Sequence, residues 1–428
     1  MREYLHEALK ELENRGLRRF LKTVESDQGP EIVYQGRKYL NFSSNNYLGL
    51  ADHPILKEAS IKAVKEYGTG SGASRLITGS MTLHEKLEQK IAEFKGTEAA
   101  LVFNSGYHAN IGVVSSLMGE GDSIFSDELN HASLIDGCRL SKARTQVYRH
   151  CDMGQLEELL VDSGSWRVDR RKTDHDSRFT IHDPRRLILT DTLFSMDGDL
   201  CPLPQIMELA EKYEATVFVD EAHATGVFGK NGRGVVEHFG IQIPPVPPLS
   251  KGGQGGFRLI QMGTLGKALG SFGAYVCGPR ELIDYLINRS RTFIYTTALP
   301  PAVISASLAA VELIERDGTL REKLWENIEY FSKHCHPREN GDPWIPAFAG
   351  MTQTSPIIPI IIGNAKKTME ISQKLFEAGI WATGIRPPSV PEGLSRIRLT
   401  ITAGHTKKHL DRCLEVLNAQ AKNFQQGT

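Results

Sequence analysis

No apolar stretch of this chain approaches the roughly 20 residues that a helix needs to cross a bilayer. Neither charge is in surplus. Fifty lysines and arginines face 51 acidic residues, and the formal net charge is -1. Such a balance lacks the basic footprint of proteins that bind nucleic acid or an anionic membrane surface. The six cysteines, at 138, 151, 201, 277, 335 and 413, include no CxxC pair and no metal-ligand spacing. They are expected to be free thiols in a reducing compartment. His84-Glu85 opens like a zincin helix, but no second histidine follows at the required spacing, so no metal is expected. The segment MREYLHEALKELENRGLRRFL has no apolar signal-peptide core, and its glutamates argue against an organellar transit peptide. The expected location is the cytoplasm.

What the chain does have is alternation. At 428 residues it is long enough for two domains. Ala99–Phe103, Leu187–Thr190 and Thr216–Asp220 are short apolar or β-branched runs, and 206–213 between the last two has helical periodicity. Strand, helix and strand repeated in this way predict an α/β fold whose central sheet is mostly parallel. After Pro300-Pro301 the pattern changes to a helix-rich stretch, then the strand-like 356–362, a helix, and 395–400. That predicts a smaller C-terminal α/β domain. The expected division is a helical amino-terminal arm (1–40), a large domain (41–298) and the small domain (299–428).

In such a fold, chemistry belongs at the carboxyl ends of the strands. Asp220 ends an apolar strand in FVDEAH, and a carboxylate leaving a buried strand is costly without a cation or donors beside it. The same letters spell a helicase DEAH box, which requires a phosphate loop of the form GxxxxGK[ST]. The one candidate, around Gly266-Lys267, has Gln261 at the first glycine position and Ala268 after the lysine, so it fails. Lys267 lies instead in the small-residue loop MGTLGKALG, where glycines let a planar group approach. Desolvation there would favour the neutral amine, the form that makes a Schiff base. Ser105-Gly106-Tyr107 opens a helix whose free N–H groups suit a phosphate. His131, in LNHAS, could lie flat on a pyridine ring. Asp220 could keep the ring nitrogen protonated, and His223 could reach the phenolic oxygen. Lys267 completes a set suited to pyridoxal 5′-phosphate.

These residues resemble the α-oxoamine synthases, fold-type-I pyridoxal-phosphate enzymes, over nearly the whole chain. The matching stretches are NFSSNNYLGL (41–50), GTGSGASRLITG (68–79), DELNHASL (127–134), FSMDGD (194–199), DEAHATG (220–226), TLGKALG (264–270) and TFIYTTALPP (292–301). The resemblance implies a homodimer that joins an amino acid to an acyl thioester with loss of carbon dioxide. It implies that Lys267, His131 and Asp220 are catalytic, and that Gly106, Tyr107, Ser195, His223 and Thr264 also hold the cofactor. Asn45 and Arg398 would bind the amino-acid carboxylate, with Arg18, Ser74, His131 and Thr383 also meeting substrate.

Within the family, two features favour the branch that joins L-alanine to a pimeloyl group on coenzyme A or a carrier protein. Glycine users resemble one another in carrying threonine where this chain has Ser74, which leaves room for a methyl group. The stretch 383–391, TGIRPPSVP, looks like the alanine branch's own loop, with Ser389 where threonine is more usual. A glycine-acetylating enzyme is the alternative, and a non-catalytic partner subunit a more remote one. Insertions relative to the family fall near 165–186, 243–258 and 336–352. They are expected to be surface loops that add nothing to the pocket.

Overall fold

The alternating runs become a seven-stranded sheet in the computed structural model, which describes residues 1–163, 184–242, 258–334 and 354–425. The three insertions lie outside these residues but for their edges, as does Cys335. The chain packs as two units. The larger comprises His53–Phe194 and Leu200–Gly318; the smaller comprises Met1–Asp52, Ser195–Asp199 and Thr319–Thr428.

Only part of the expected helical arm is helical. Helix α1 (Arg2–Asn14) buries no residue. Residues 31–41 instead form a hairpin of β1 (Glu31–Tyr34) and β2 (Arg37–Asn41), in the register Tyr34↔Arg37. The turn residues Gln35 (φ 50°) and Gly36 (φ 69°) both take the left-handed conformation that a two-residue hairpin turn needs.

In the larger unit, α2 (Pro54–Tyr67) and α3 (Thr82–Lys95) precede β3 (Ala99–Phe103), α4 (Gly106–Leu117), β4 (Ser123–Asp127), α5 (Ala132–Ser141) and β5 (Arg144–Tyr148). Strands β6 (Arg186–Asp191), β7 (Thr216–Asp220), β8 (Leu259–Thr264) and β9 (Ala274–Gly278) complete the sheet, in the order β3-β9-β8-β7-β6-β4-β5. Strand β9 alone runs against its neighbours. Strands β3, β4 and β9 are buried at every residue, as expected for a sheet covered on both faces, whereas the edge strand β5 is largely exposed. Val113, Ile124, Phe218, Ile260 and Val276 belong to one apolar core cluster. Helices α4 and α5 approach so closely at Gly137 that a Cβ there would stand 3.0 Å from the Val114 Cβ. The helix Pro301–Arg316, which follows the expected domain boundary, packs on α2 and α3 and belongs to this unit.

The smaller unit adds β10 (Ile357–Gly363), β11 (Ile380–Trp381), β12 (Thr383–Ile385) and β13 (Ser395–Thr400). Strand β13 lies between β10 and β12 in an antiparallel sheet, and β11 extends the hairpin by pairing in parallel with β2. Tyr39 stacks on Phe376, with Trp381 edge-on to both. No described helix is long and apolar enough to cross a membrane.

Candidate active site

Three neighbouring parallel strands end in buried aspartates: Asp127 on β4, Asp191 on β6 and Asp220 on β7. Each must be compensated by donors, and each is satisfied differently. Asp127 accepts from the Leu129 and Cys151 N–H groups and from His150 Nδ1. Asp191 accepts the His131 N–H. Asp220 accepts the Ala222 N–H at one oxygen and Asn110 Nδ2 at the other, both at 2.8 Å.

The turn after Asp220 carries His223, whose Nε2 lies 2.8 Å from Lys267 Nζ. Lys267 stands in the loop that follows β8, where Thr264 Oγ1 donates to the Ala222 carbonyl. The same turn is tied from behind by Glu221, which forms a fully buried ion pair with Lys95 and accepts the Val236 N–H. Burial is the largest influence and works against charge on Lys95, but Glu221, Tyr275 and Cys277 together outweigh it and hold its pKa above the ordinary lysine value.

Helix α4 begins beside this cluster. Ser105 caps it by accepting the His108 N–H, while the N–H groups of Gly106 and Tyr107 precede the internal ladder. A Cβ at 106 would stand 3.0 Å from Thr264 Cγ2, so a larger residue there would push on that methyl. The Tyr107 hydroxyl is engaged by Asp136, so what Tyr107 can offer a phosphate is its backbone N–H. His131 caps α5, and its Nδ1 pairs with Ser133. Desolvation is the largest cause holding its imidazole below the ordinary pKa; Lys267 adds to this and Asp220 opposes it. Asp220 and Lys267 are therefore both within electrostatic reach of His131. Ser74 is bridged to Thr297, whose carbonyl accepts from Asn104 Nδ2 just before the cap of α4.

In the smaller unit, Arg398 projects from β13. Its Nε donates to the Ser195 carbonyl at 2.5 Å, and its other nitrogens reach Thr400 Oγ1 at 3.0 Å and Asn45 Oδ1 at 3.2 Å. The expected Asn45, Ser195 and Arg398 thus meet. Thr383 pairs with Ser43, and Arg18 forms an ion pair with Glu13 while its carbonyl accepts from Arg386. Thr383 stands directly opposite Arg398 in the antiparallel pairing of β12 with β13. Arg396, two residues from Arg398, is almost fully buried and pairs with Asp197.

Asn110 and Asp191 were not expected. Asn110 is a polar residue on the apolar face of α4, beside Ala109 and Val113, which is a usable signal. Asp191 carries the same mark as Asp220, an acid at the end of an apolar run.

This donor set fits pyridoxal 5′-phosphate. A buried carboxylate held by two N–H donors suits a pyridinium nitrogen, and a lysine amine lies within a hydrogen bond of an imidazole. A helix N-terminus without a side chain at Gly106 suits a phosphate.

Residues 37–417 match the family model for Aminotransferase class I and II. The chain is 47% identical to the 8-amino-7-oxononanoate synthase of Symbiobacterium thermophilum over 412 residues, 96% of each chain. A solved structure of serine palmitoyltransferase with pyridoxal phosphate superposes with a TM-score of 0.83 at 27% identity, covering 98% of this chain and 97% of that one. The 8-amino-7-oxononanoate synthase of Francisella tularensis gives 0.69 at 29% identity, covering 90% and 99%. The chain belongs to this class of pyridoxal 5′-phosphate-dependent enzymes and, within it, to the family of the 8-amino-7-oxononanoate synthases. The higher overlap with the palmitoyltransferase reflects a shared fold that hosts several activities; sequence identity separates them.

Proposed function

We propose that this enzyme condenses L-alanine with a pimeloyl thioester to give 8-amino-7-oxononanoate, carbon dioxide and the free thiol, a step in biotin biosynthesis. The observation that carries the reading is 47% identity maintained across 96% of both chains. In the condensation the alanine Cα–H bond breaks and Cα bonds to the acyl carbon as the C–S bond breaks. The carboxylate then leaves as carbon dioxide and Cα regains a proton, with no net oxidation. When bound, the cofactor supplies an electron sink for the bonds broken at Cα.

Each residue then has a role. Lys267 anchors the cofactor and, once its amine is released, takes the α-proton. Asp220 holds a proton at the ring nitrogen, and His223 meets the phenolic oxygen. His131 packs on the ring, and the N–H groups of Gly106 and Tyr107 receive the phosphate, with Thr264 and Ser195 as further cofactor contacts. Arg398 and Asn45 take the alanine carboxylate, while Arg18 and Thr383 also meet substrate. Ser74 leaves space for the alanine methyl. A single methyl discriminates by only about 1–3 kcal/mol, so Ser74 biases the choice of amino acid without deciding it.

The test is a matrix of alanine and glycine against pimeloyl and acetyl thioesters, following carbon dioxide and thiol release. Alanine with a pimeloyl donor, on coenzyme A or a carrier protein, should give the highest kcat/KM. A preference for glycine with acetyl-coenzyme A would overturn the assignment. The enzyme also acts as a homodimer on this reading. Leu76, Ile77, Phe272 and Tyr295 of the larger unit are exposed apolar residues, which supports a covering partner. Light scattering on the eluted protein should return twice the chain mass; a monomer mass would refute the dimer.

A further inference from the structure

A tight polar clasp joins the end of β6 to the loop that carries His131. We propose that Asp191 is a positioning residue of this reaction: by gripping that loop it fixes where the His131 imidazole stands. The inference rests on the reading of His131 given above. The clasp is reciprocal. The His131 N–H donates to Asp191 Oδ2 at 2.7 Å, and the Asp191 N–H donates to Asn130 Oδ1 at 2.9 Å. Asn130 Nδ2 in turn donates to the Leu189 carbonyl and to Ser126 Oγ, both at 2.9 Å. Adjacent residues of the loop, Asn130 and His131, are thus tied to the tip of β6 from both sides.

The geometry gives the clasp a purpose beyond closing a loop. His131 is the N-cap of α5, and Ser133 occupies its Nδ1. With the backbone N–H anchored and one ring nitrogen taken, little freedom remains to the imidazole. Asp191 pairs directly with Asp220 across β6 and β7, so the group that grips His131 and the group assigned to the ring nitrogen leave neighbouring strands at one level. The anchor sets the imidazole against the same strand ends that carry Asp220. Burial, and then the neighbouring Asp220, push the Asp191 carboxyl well above the ordinary range; the His131 N–H and Lys267 oppose this less strongly. A carboxyl that is neutral still accepts at Oδ2, so the clasp does not depend on charge.

The experiment compares D191A, D191N and H131A, together with the D191A/H131A pair. D191A should lower kcat roughly 10- to 100-fold, the scale of a small misplacement of a catalytic group. It should keep the cofactor's absorbance band and leave the KM for the acyl thioester little changed. D191N retains an acceptor for the His131 N–H and should recover most of the loss. In full-length protein, with and without cofactor, the His131 amide should exchange with deuterium quickly in D191A and slowly in wild type and D191N. In the H131A background, D191A should add no further loss. If D191A does not fold, N130A opens the clasp from the other side and carries the same expectation. A wild-type kcat in D191A, equal losses in D191N and D191A, or additive losses in the pair would overturn the proposal. An H131A variant with wild-type kcat would overturn the reading of His131 and this inference with it. An impaired H131A beside an intact D191A would remove Asp191 alone.

Discussion

Replacing Lys267 by alanine should abolish turnover. The variant loses two things at one position, the amine that anchors the cofactor and the group proposed to take the α-proton. Positioned acid–base catalysis alone is typically worth about 10²–10⁴-fold. Lys95, a buried lysine of the same unit, is committed to Glu221, whereas Lys267 is only partly buried and faces His223. His223, whose Nε2 lies 2.8 Å from the Lys267 amine, stays in place and cannot form the bond to the cofactor. The chain around position 267 should be undisturbed, because Leu265 and Gly270 are held by backbone hydrogen bonds. K267A should therefore fold, which circular dichroism checks, and show no absorbance band of the bound cofactor that borohydride bleaches. Activity within about tenfold of wild type would sink the assignment of Lys267 as base and anchor.

Much of this was legible in the chain because the signals are local. An apolar run that ends in an acid marks a strand end, and it identified Asp220. The same signal is present at Asp127 and Asp191. Nothing in the sequence says that β4, β6 and β7 are neighbours; the strand order that sets the three aspartates side by side is a long-range property. The two-residue turn at Gln35-Gly36 was missed because glutamine is an unusual left-handed residue, so the hairpin 31–41 was absorbed into a helical arm. Pro300-Pro301 breaks the sequence pattern and opens a helix. Yet the helix it begins packs back on α2 and α3, since its apolar face, with Ile304, Val311 and Ile314, finds cover there. Of the candidate cofactor residues, Gly106, Tyr107, His131, Asp220, His223 and Lys267 are legible from motif order, and Ser195 and Thr264 from resemblance alone. Arg398 and Asn45 came from resemblance alone, and their hydrogen bond is what the fold adds. Asn110, which holds Asp220, required knowing which face of α4 meets the end of β7.

Asp220→Asn should leave the fold and cofactor binding in place and slow removal of the α-proton. Asparagine keeps the shape and one acceptor, so the Ala222 N–H at 2.8 Å retains a partner. Asn110 Nδ2, now donating to Asp220 Oδ2, would face either a carbonyl or another NH2. The new amide has a single acceptor and keeps only one of the two bonds, unless Asn110 turns over and offers its own Oδ1, which has no partner now among the described residues, to the new NH2. What the new amide cannot do is hold a proton at the ring nitrogen as a carboxylate does. A hydrogen bond to a charged group is worth about 1.5–3 kcal/mol, which corresponds to roughly 10- to 150-fold in rate. The loss should fall on the step that builds charge at the alanine Cα. It should appear in kcat and in the exchange of the α-hydrogen of bound alanine with solvent deuterium. The dissociation constant of alanine should change little, since Arg398 and Asn45 are proposed to carry its carboxylate. The decisive measurement is α-hydrogen exchange without an acyl donor, which isolates proton removal from the condensation that follows. Exchange at the wild-type rate in D220N would show that Asp220 is a structural partner of Asn110 and not the group that tunes the ring.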